Sequence, residues 1–168
     1  MLVNRKPLFV PEAIGDLQAL PCWVLRISRL GKCVAPRFAS RYYDAVAAGM
    51  DYFGGDRLQE AKKAGKAWTE AIAFEGSLAF GVWQEADGEV SGTWQQIRNE
   101  ELIERVEWSS EGMKALFDAA VAKASELLTI RQGDLIYVAK NQTPWRLQTN
   151  DIVQCVNEEQ EQLYCKIK

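Results

Sequence analysis

Ala48-Gly49-Met50-Asp51-Tyr52-Phe53-Gly54-Gly55-Asp56 is the stretch whose reading decides the fold. With Asp44-Ala45-Val46-Ala47 before it, it reads as a strand of small residues that neighbouring strands can approach closely. Gly54-Gly55 breaks that strand. A charged helix is expected over residues 57–64, with Asp56 placed to cap it and Gly65 to end it. Glu60, Lys62, Lys63 and Lys66 form its solvated face. After the helix comes Trp68-Thr69-Glu70-Ala71-Ile72-Ala73-Phe74.

Working outward toward the N-terminus, residues 22–30 read as a second strand. Trp23, Leu25 and Ile27 share one parity, Arg26 and Ser28 the other, and Gly31-Lys32 closes it. Residues 36–43 read as a short helix opened by proline. Toward the C-terminus, residues 77–83, 90–97 and 102–108 are expected to form three successive antiparallel strands. Asp87-Gly88 supplies the first turn and Asn99-Glu100 the second. Ser110 opens the longest helix, where Met113, Leu116, Phe117, Ala120, Val121, Ala124, Leu127 and Leu128 recur at three- and four-residue spacing and mark a buried face. Ile130-Arg131-Gln132-Gly133-Asp134-Leu135-Ile136-Tyr137 leads into another strand. Residues 152–156 and 163–167 close a sheet through the acidic turn at 158–161.

Composition excludes several classes of function. At 168 residues, 48% of them apolar, a single domain over 1–168 is expected. No run approaches the ~20 apolar residues of a membrane span, so no membrane role is expected. The first residues have no apolar signal core, which points to the cytoplasm and reduced thiols. Net charge is −3 with no basic face evident, so nucleic acid is not an expected partner. Cys22, Cys33, Cys155 and Cys165 lack metal-knuckle spacing and read as small apolar residues. The chain has no histidine, which removes Ser-His-Asp and Cys-His catalysis and imidazole metal sites. Any general base is a carboxylate, Lys, Tyr or Cys.

The order and spacing of Gly31, Asp51, Asp56, Trp68-Thr69, Phe74 and Gly133-Asp134 resembles the fumarylacetoacetate hydrolase family. The resemblance spans roughly residues 7–167. It implies an α+β fold, a mixed and mostly β roll or sandwich with a few flanking helices. It also implies a divalent-ion site for a 2-oxo acid and a homodimer paired through sheet edges. Carried over residue by residue, Asp51 falls on the family's metal Asp and Asp56 on the Asp of its Arg-Asp pair. The Arg of that pair falls on Gly55 and the catalytic Lys on Ile72. Counted back from Gly31, the family's metal-binding Glu-x-Glu falls on Trp23 and Leu25. Its Thr-Gly-Thr-Pro loop, which receives the substrate carboxylate, falls on Val138-Ala139-Lys140-Asn141, where Lys140 offers only a point charge. The family's N-terminal lid with its His-Glu pair is expected to be missing.

Three functions are compatible with this pattern. The first is a catalytically degenerate protein of this kind, kept for binding a small carboxylate or for assembly, with Asp51 as the one remaining metal ligand and no cofactor expected. The second is a divergent Mg- or Mn-dependent hydrolase, isomerase or decarboxylase of a 2-oxo acid, drawing acid–base groups from Asp51, Asp56, Glu70, Glu75 and Lys140. The third is a structural partner. Six tryptophans in a short chain, among them Trp83, Trp94, Trp108 and Trp145, suggest that some lie at an interface.

Overall fold

The structure is a computed structural model that describes residues 1–86, 92–139, 143–157 and 160–168. Strands outnumber helices and are arranged in two sheets. The larger sheet is built on two long central strands, β2 (Leu17–Ile27) and β3 (Tyr43–Gly54), antiparallel along their whole length. Most side chains on both are buried, as the near-continuous apolar run of β2 and the alanines of β3 require of strands covered on two faces. Around them lie β1 (Leu2–Val3), β4 (Leu78–Phe80), β5 (Gln84–Glu85), β8 (Leu135–Val138) and β9 (Trp145–Arg146). The second sheet runs β11-β10-β6-β7 and comprises β6 (Gly92–Arg98), β7 (Glu101–Trp108), β10 (Ile152–Asn157) and β11 (Gln160–Lys166).

The core lies between the sheets and beneath helix α3 (Ser110–Leu127). Trp23 of the first sheet lies against Trp94 of the second, ring centroids 3.5 Å apart, and meets Phe117 of α3 edge-on at 5.9 Å. Ser109, one residue before the expected start, caps α3 by accepting a hydrogen bond from the Gly112 N–H. The apolar stripe of α3 holds as far as Ala124. Leu127 and Leu128 are exposed, because the chain leaves the helix there to bridge Gly31 through Ile130.

Three expectations are corrected. Residues 77–108 do not form one meander. β4 belongs to the first sheet, beside β3, while β6 and β7 pair in the second, with β10 on the other side of β6. The chain leaves the β4 ladder at Gly81-Val82, where the Val82 N–H turns to the Gln162 carbonyl of β11. A Cβ at Gly81 would lie 2.0 Å from that same carbonyl oxygen, so the crossing depends on glycine. Second, Asp56 does not cap helix α1 (Gly55–Lys63). It sits in the first turn, where a carboxylate still favours the helix dipole. Third, Trp94 is 3% exposed and belongs to the core, so it is no interface residue. The Asp87-Gly88 turn and the 158–159 part of the acidic turn lie outside the described residues, as does Lys140.

The remaining landmarks have structural roles. Asn99 and Glu100 both adopt positive φ, at 50° and 69°, which closes the tight β6–β7 turn. Asp134 accepts from the Arg131 N–H, and Gly133 at φ 89° bonds back to the Ile27 carbonyl, so the Gly-Asp signature here is a turn that delivers β8 to β2. Burial alone would raise the Asp151 carboxyl. Hydrogen bonds from Asn99 and from the Gln148 N–H, with the Arg98 guanidinium beside it, hold it below its ordinary range.

Candidate functional site

The two faces of the central strands are chemically different, and register determines which residues share each face. Side chains directly opposite in an antiparallel pair point to the same side, and those two residues apart follow them. Leu20 pairs with Asp51, Cys22 with Gly49, Val24 with Ala47 and Arg26 with Ala45. Tyr137 of β8 joins the same face opposite Val24, and Leu78 and Phe80 of β4 join it opposite Asp51 and Gly49. Trp23 and Leu25 point the other way, into the core with Ala48, Val46 and Met50. The hydrocarbon beside Asp51 therefore comes from Leu20, Cys22 and Val24, not from Trp23 and Leu25.

The reason for that correction is where β2 ends. It stops at Ile27, short of the expected Leu30, so a count back from Gly31 runs through residues 28–30, which lie outside the strand. Two-residue alternation does not hold across them, and the count arrives on the wrong face. The register shift between Arg26 and Ile27 places its extra residue, Asp44, on β3 and leaves the alternation of β2 intact.

Asp51 is half-buried, and burial pushes its carboxyl up to about 6. Among the described residues its carboxylate has no recorded hydrogen bond or ion pair. Cys22 is buried, and its thiol is pushed well up, first by desolvation and then by the charge of Asp51. The Tyr137 hydroxyl is raised by burial and then by Cys22 and Asp51, and among the described residues it has no hydrogen-bond partner. At neutral pH the site is therefore one carboxylate near its titration range beside two neutral, weakly acidic donors. Gly49 forms the floor. A Cβ there would lie 2.4 Å from Val24 Cγ2 and 3.0 Å from Cys22 Sγ, so these two side chains fold over the space a side chain at 49 would take.

The other sequence candidates are not gathered here. Asp56 is exposed and lies 3.6 Å from Arg146, which also pairs with Asp16. Glu70 is 83% exposed and pairs with Arg57. Glu75 is exposed. At Gly55, where the family arginine would stand, a Cβ would fall 2.0 Å from the Gln18 amide, so Gln18 already fills that space. Cys22 and Tyr137 were missed in the sequence. Period-two alternation could have found Cys22, since Trp23, Leu25 and Ile27 were already assigned one face.

No family model matches the sequence, and no curated protein matches it. Solved structures do. Fumarylpyruvate hydrolase from Pseudomonas aeruginosa, in complex with Mn2+ and pyruvate, superposes with TM-score 0.83 at 16% identity over 99% of this chain and 72% of that one. A protein assigned to the fumarylacetoacetate hydrolase family from Yersinia pestis CO92 matches at TM-score 0.83 and 18% identity, over 98% of this chain and 79% of that one. The 5-carboxymethyl-2-hydroxymuconate delta-isomerase of Mycobacterium smegmatis matches at TM-score 0.79 and 18% identity, over 98% of this chain but 64% of that one. The chain has the fumarylacetoacetate hydrolase fold.

Whether this fumarylacetoacetate-hydrolase-like chain suits a divalent ion is decided by its donors. Mg2+ and Mn2+ take several hard oxygen ligands, most often carboxylates. Among the described residues the face around Asp51 offers one carboxylate, one buried thiol and one phenol, beside Leu20 and Val24. This set does not fit a hard divalent ion.

The carboxyl of Asp51 makes a testable contribution to stability. The folded chain keeps this proton up to about pH 6, whereas the unfolded chain releases it near 3.8. The fold's advantage is thus full below the lower value and is lost as pH rises through the window to the upper one. Asp51→Asn is expected to match wild type near the bottom of that window. Above it, the variant should be more stable by about 1–2 kcal/mol, a figure reduced because the side chain is only partly buried. Urea melts at several pH values measure this. A wild type that gains stability relative to the variant as pH rises would show that the carboxylate has a cationic partner.

Proposed function

We propose that this chain is a catalytically silent version of its fold, serving as a binding or assembly protein. The observation that carries this reading is the face around Asp51, where, among the described residues, Leu20, Cys22, Val24 and Gly49 accompany a single carboxylate. On this reading a small carboxylic acid would lodge against Asp51 and Tyr137 when one of the two acids holds a proton, and so would bind more tightly toward pH 6.

Calorimetry with Mn2+ should show no saturable site in the micromolar range. Oxaloacetate and acylpyruvates incubated with the protein and Mn2+ should disappear no faster than in its absence. A micromolar ion site, or turnover that Asp51→Ala abolishes, would support the metal-dependent hydrolase, isomerase or decarboxylase instead.

For assembly, the reading favours a homodimer through β7, an outer strand of the second sheet on which Leu102 and Ile103 are exposed. Laid antiparallel on a second copy about the Glu104–Arg105 peptide, Glu104 faces the other copy's Arg105 and Ile103 faces its Val106. Light scattering should give twice the 18.9 kDa chain mass, and Ile103→Lys should return a monomer. A wild-type monomer at high concentration would remove the assembly reading.

A further inference from the structure

Far from Asp51 on the same strands, a cavity of about 470 Å3 is lined by Arg26, Ser28, Arg29, Ser40, Arg41, Tyr43, Asp44, Glu85 and Ala86. Arg26 and Asp51 are in register with Ala45 and Leu20, six residues apart along β2, or about 20 Å at ~3.4 Å per residue. The cavity is thus separate from the face described above. Its volume suits a small-molecule site.

The charge around it is segregated in sequence. Residues 17–43 hold Arg26, Arg29, Lys32, Arg37 and Arg41 and no carboxylate, in a chain whose total charge is −3. Of the two carboxylates lining the cavity, Asp44 is bound by Arg26 at 2.8 Å. That leaves Glu85 against Arg29 and Arg41, neither of which has a recorded ion pair among the described residues. Both are held by aromatic rings instead. The Arg29 guanidinium sits 6.0 Å from the Tyr42 centroid, and that of Arg41 5.0 Å from Phe38. Arg37 lies 4.8 Å from the same Phe38 ring, so its guanidinium carbon is within about 10 Å of Arg41's, roughly one Debye length. Two guanidinium groups so placed repel one another, and an anion between or beside them relieves that repulsion.

We infer that this cavity binds the phosphate group of a phosphorylated small molecule. Two guanidinium forks, each over an aromatic ring, and the hydroxyls of Ser28 and Ser40 line one space. That donor number exceeds what the two oxygens of a carboxylate use and suits a tetrahedral anion with three or four acceptor oxygens. The ring contacts use no N–H donor, and among the described residues neither guanidinium has a recorded hydrogen bond or ion pair.

Pyrophosphate titrated into the full chain at physiological salt, followed by calorimetry, tests the inference. Saturable binding is expected, weakened at least tenfold in the Arg29→Gln, Arg41→Gln double variant. It should be unchanged in the Lys62→Gln, Lys63→Gln double variant, which removes an equal charge from the exposed end of α1. Both cavity arginines are exposed, so the double variant should fold. On the wild-type protein, amide NMR should show pyrophosphate shifting Ser28, Arg29, Ser40 and Arg41. Equal affinity in the arginine double variant, equal weakening in the lysine double variant, or shifts spread over the surface lysines would each overturn the site.

Discussion

Trp23→Ala should lower the stability of this protein by about 3–5 kcal/mol, and Trp23→Glu should prevent folding at neutral pH. Trp23 is 7% exposed and is wedged between Trp94 and Phe117, where the first sheet meets the second and helix α3. Truncation leaves a void that three elements cannot all collapse into, and a carboxylate at 23 would be buried among the rings of Trp94 and Phe117. Urea and thermal melts measure the first variant, and circular dichroism of the purified chain the second. The outcome bears on function, because counting back from Gly31 had placed Trp23 in the position of a metal ligand. A folded Trp23→Glu variant with new Mn2+ affinity would reverse the assignment of faces made here.

The complementary experiment rebuilds the site on the other parity. Leu20→Glu with Cys22→Glu would place two carboxylates on the face that carries Asp51, since Leu20 is its direct partner and Cys22 follows two residues on. Without metal the variant should be less stable than wild type, because three like charges share one partly buried face. With Mn2+ it should bind at least about a hundredfold more tightly than wild type, and its melting temperature should rise with ion concentration. The same pair at 23 and 25 should show no metal response. Calorimetry and thermal shift read both. A Leu20→Glu, Cys22→Glu protein indifferent to Mn2+ would show that the face lacks the geometry for an ion as well as the ligands.

Much of the fold was legible because several signals were local and strong. The small residues of β3, the periodic stripe of α3, the Gly133-Asp134 turn and the Gly65 stop are each specified within a few positions, and each stands close to where the pattern put it. The site was less legible. β2 stops at Ile27 although Ser28-Arg29-Leu30 continues its pattern, so a count anchored on Gly31 lands on the wrong face, and nothing in the identity of those residues announces it. The path from β4 to β6 was missed for a different reason. Alternation shows that residues 77–83 and 90–97 are extended but not which sheet each joins, and the partner of Gly81-Val82 is β11, eighty residues further on. The arginine cavity was invisible because its lining comes from β2, the short 3-10 helix Pro36–Arg41 and β5 together.

Gly49 links two positions that are remote in the chain. Val24 fits only because residue 49 has no side chain, and a methyl group at 49 would need residue 24 to shrink first. Enlargement at 49 is tolerable only after residue 24 has shrunk, so residues 24 and 49 must substitute in a fixed order. Among descendants of a common ancestor they should vary as a pair, with bulk exchanged across the ladder and its sum conserved.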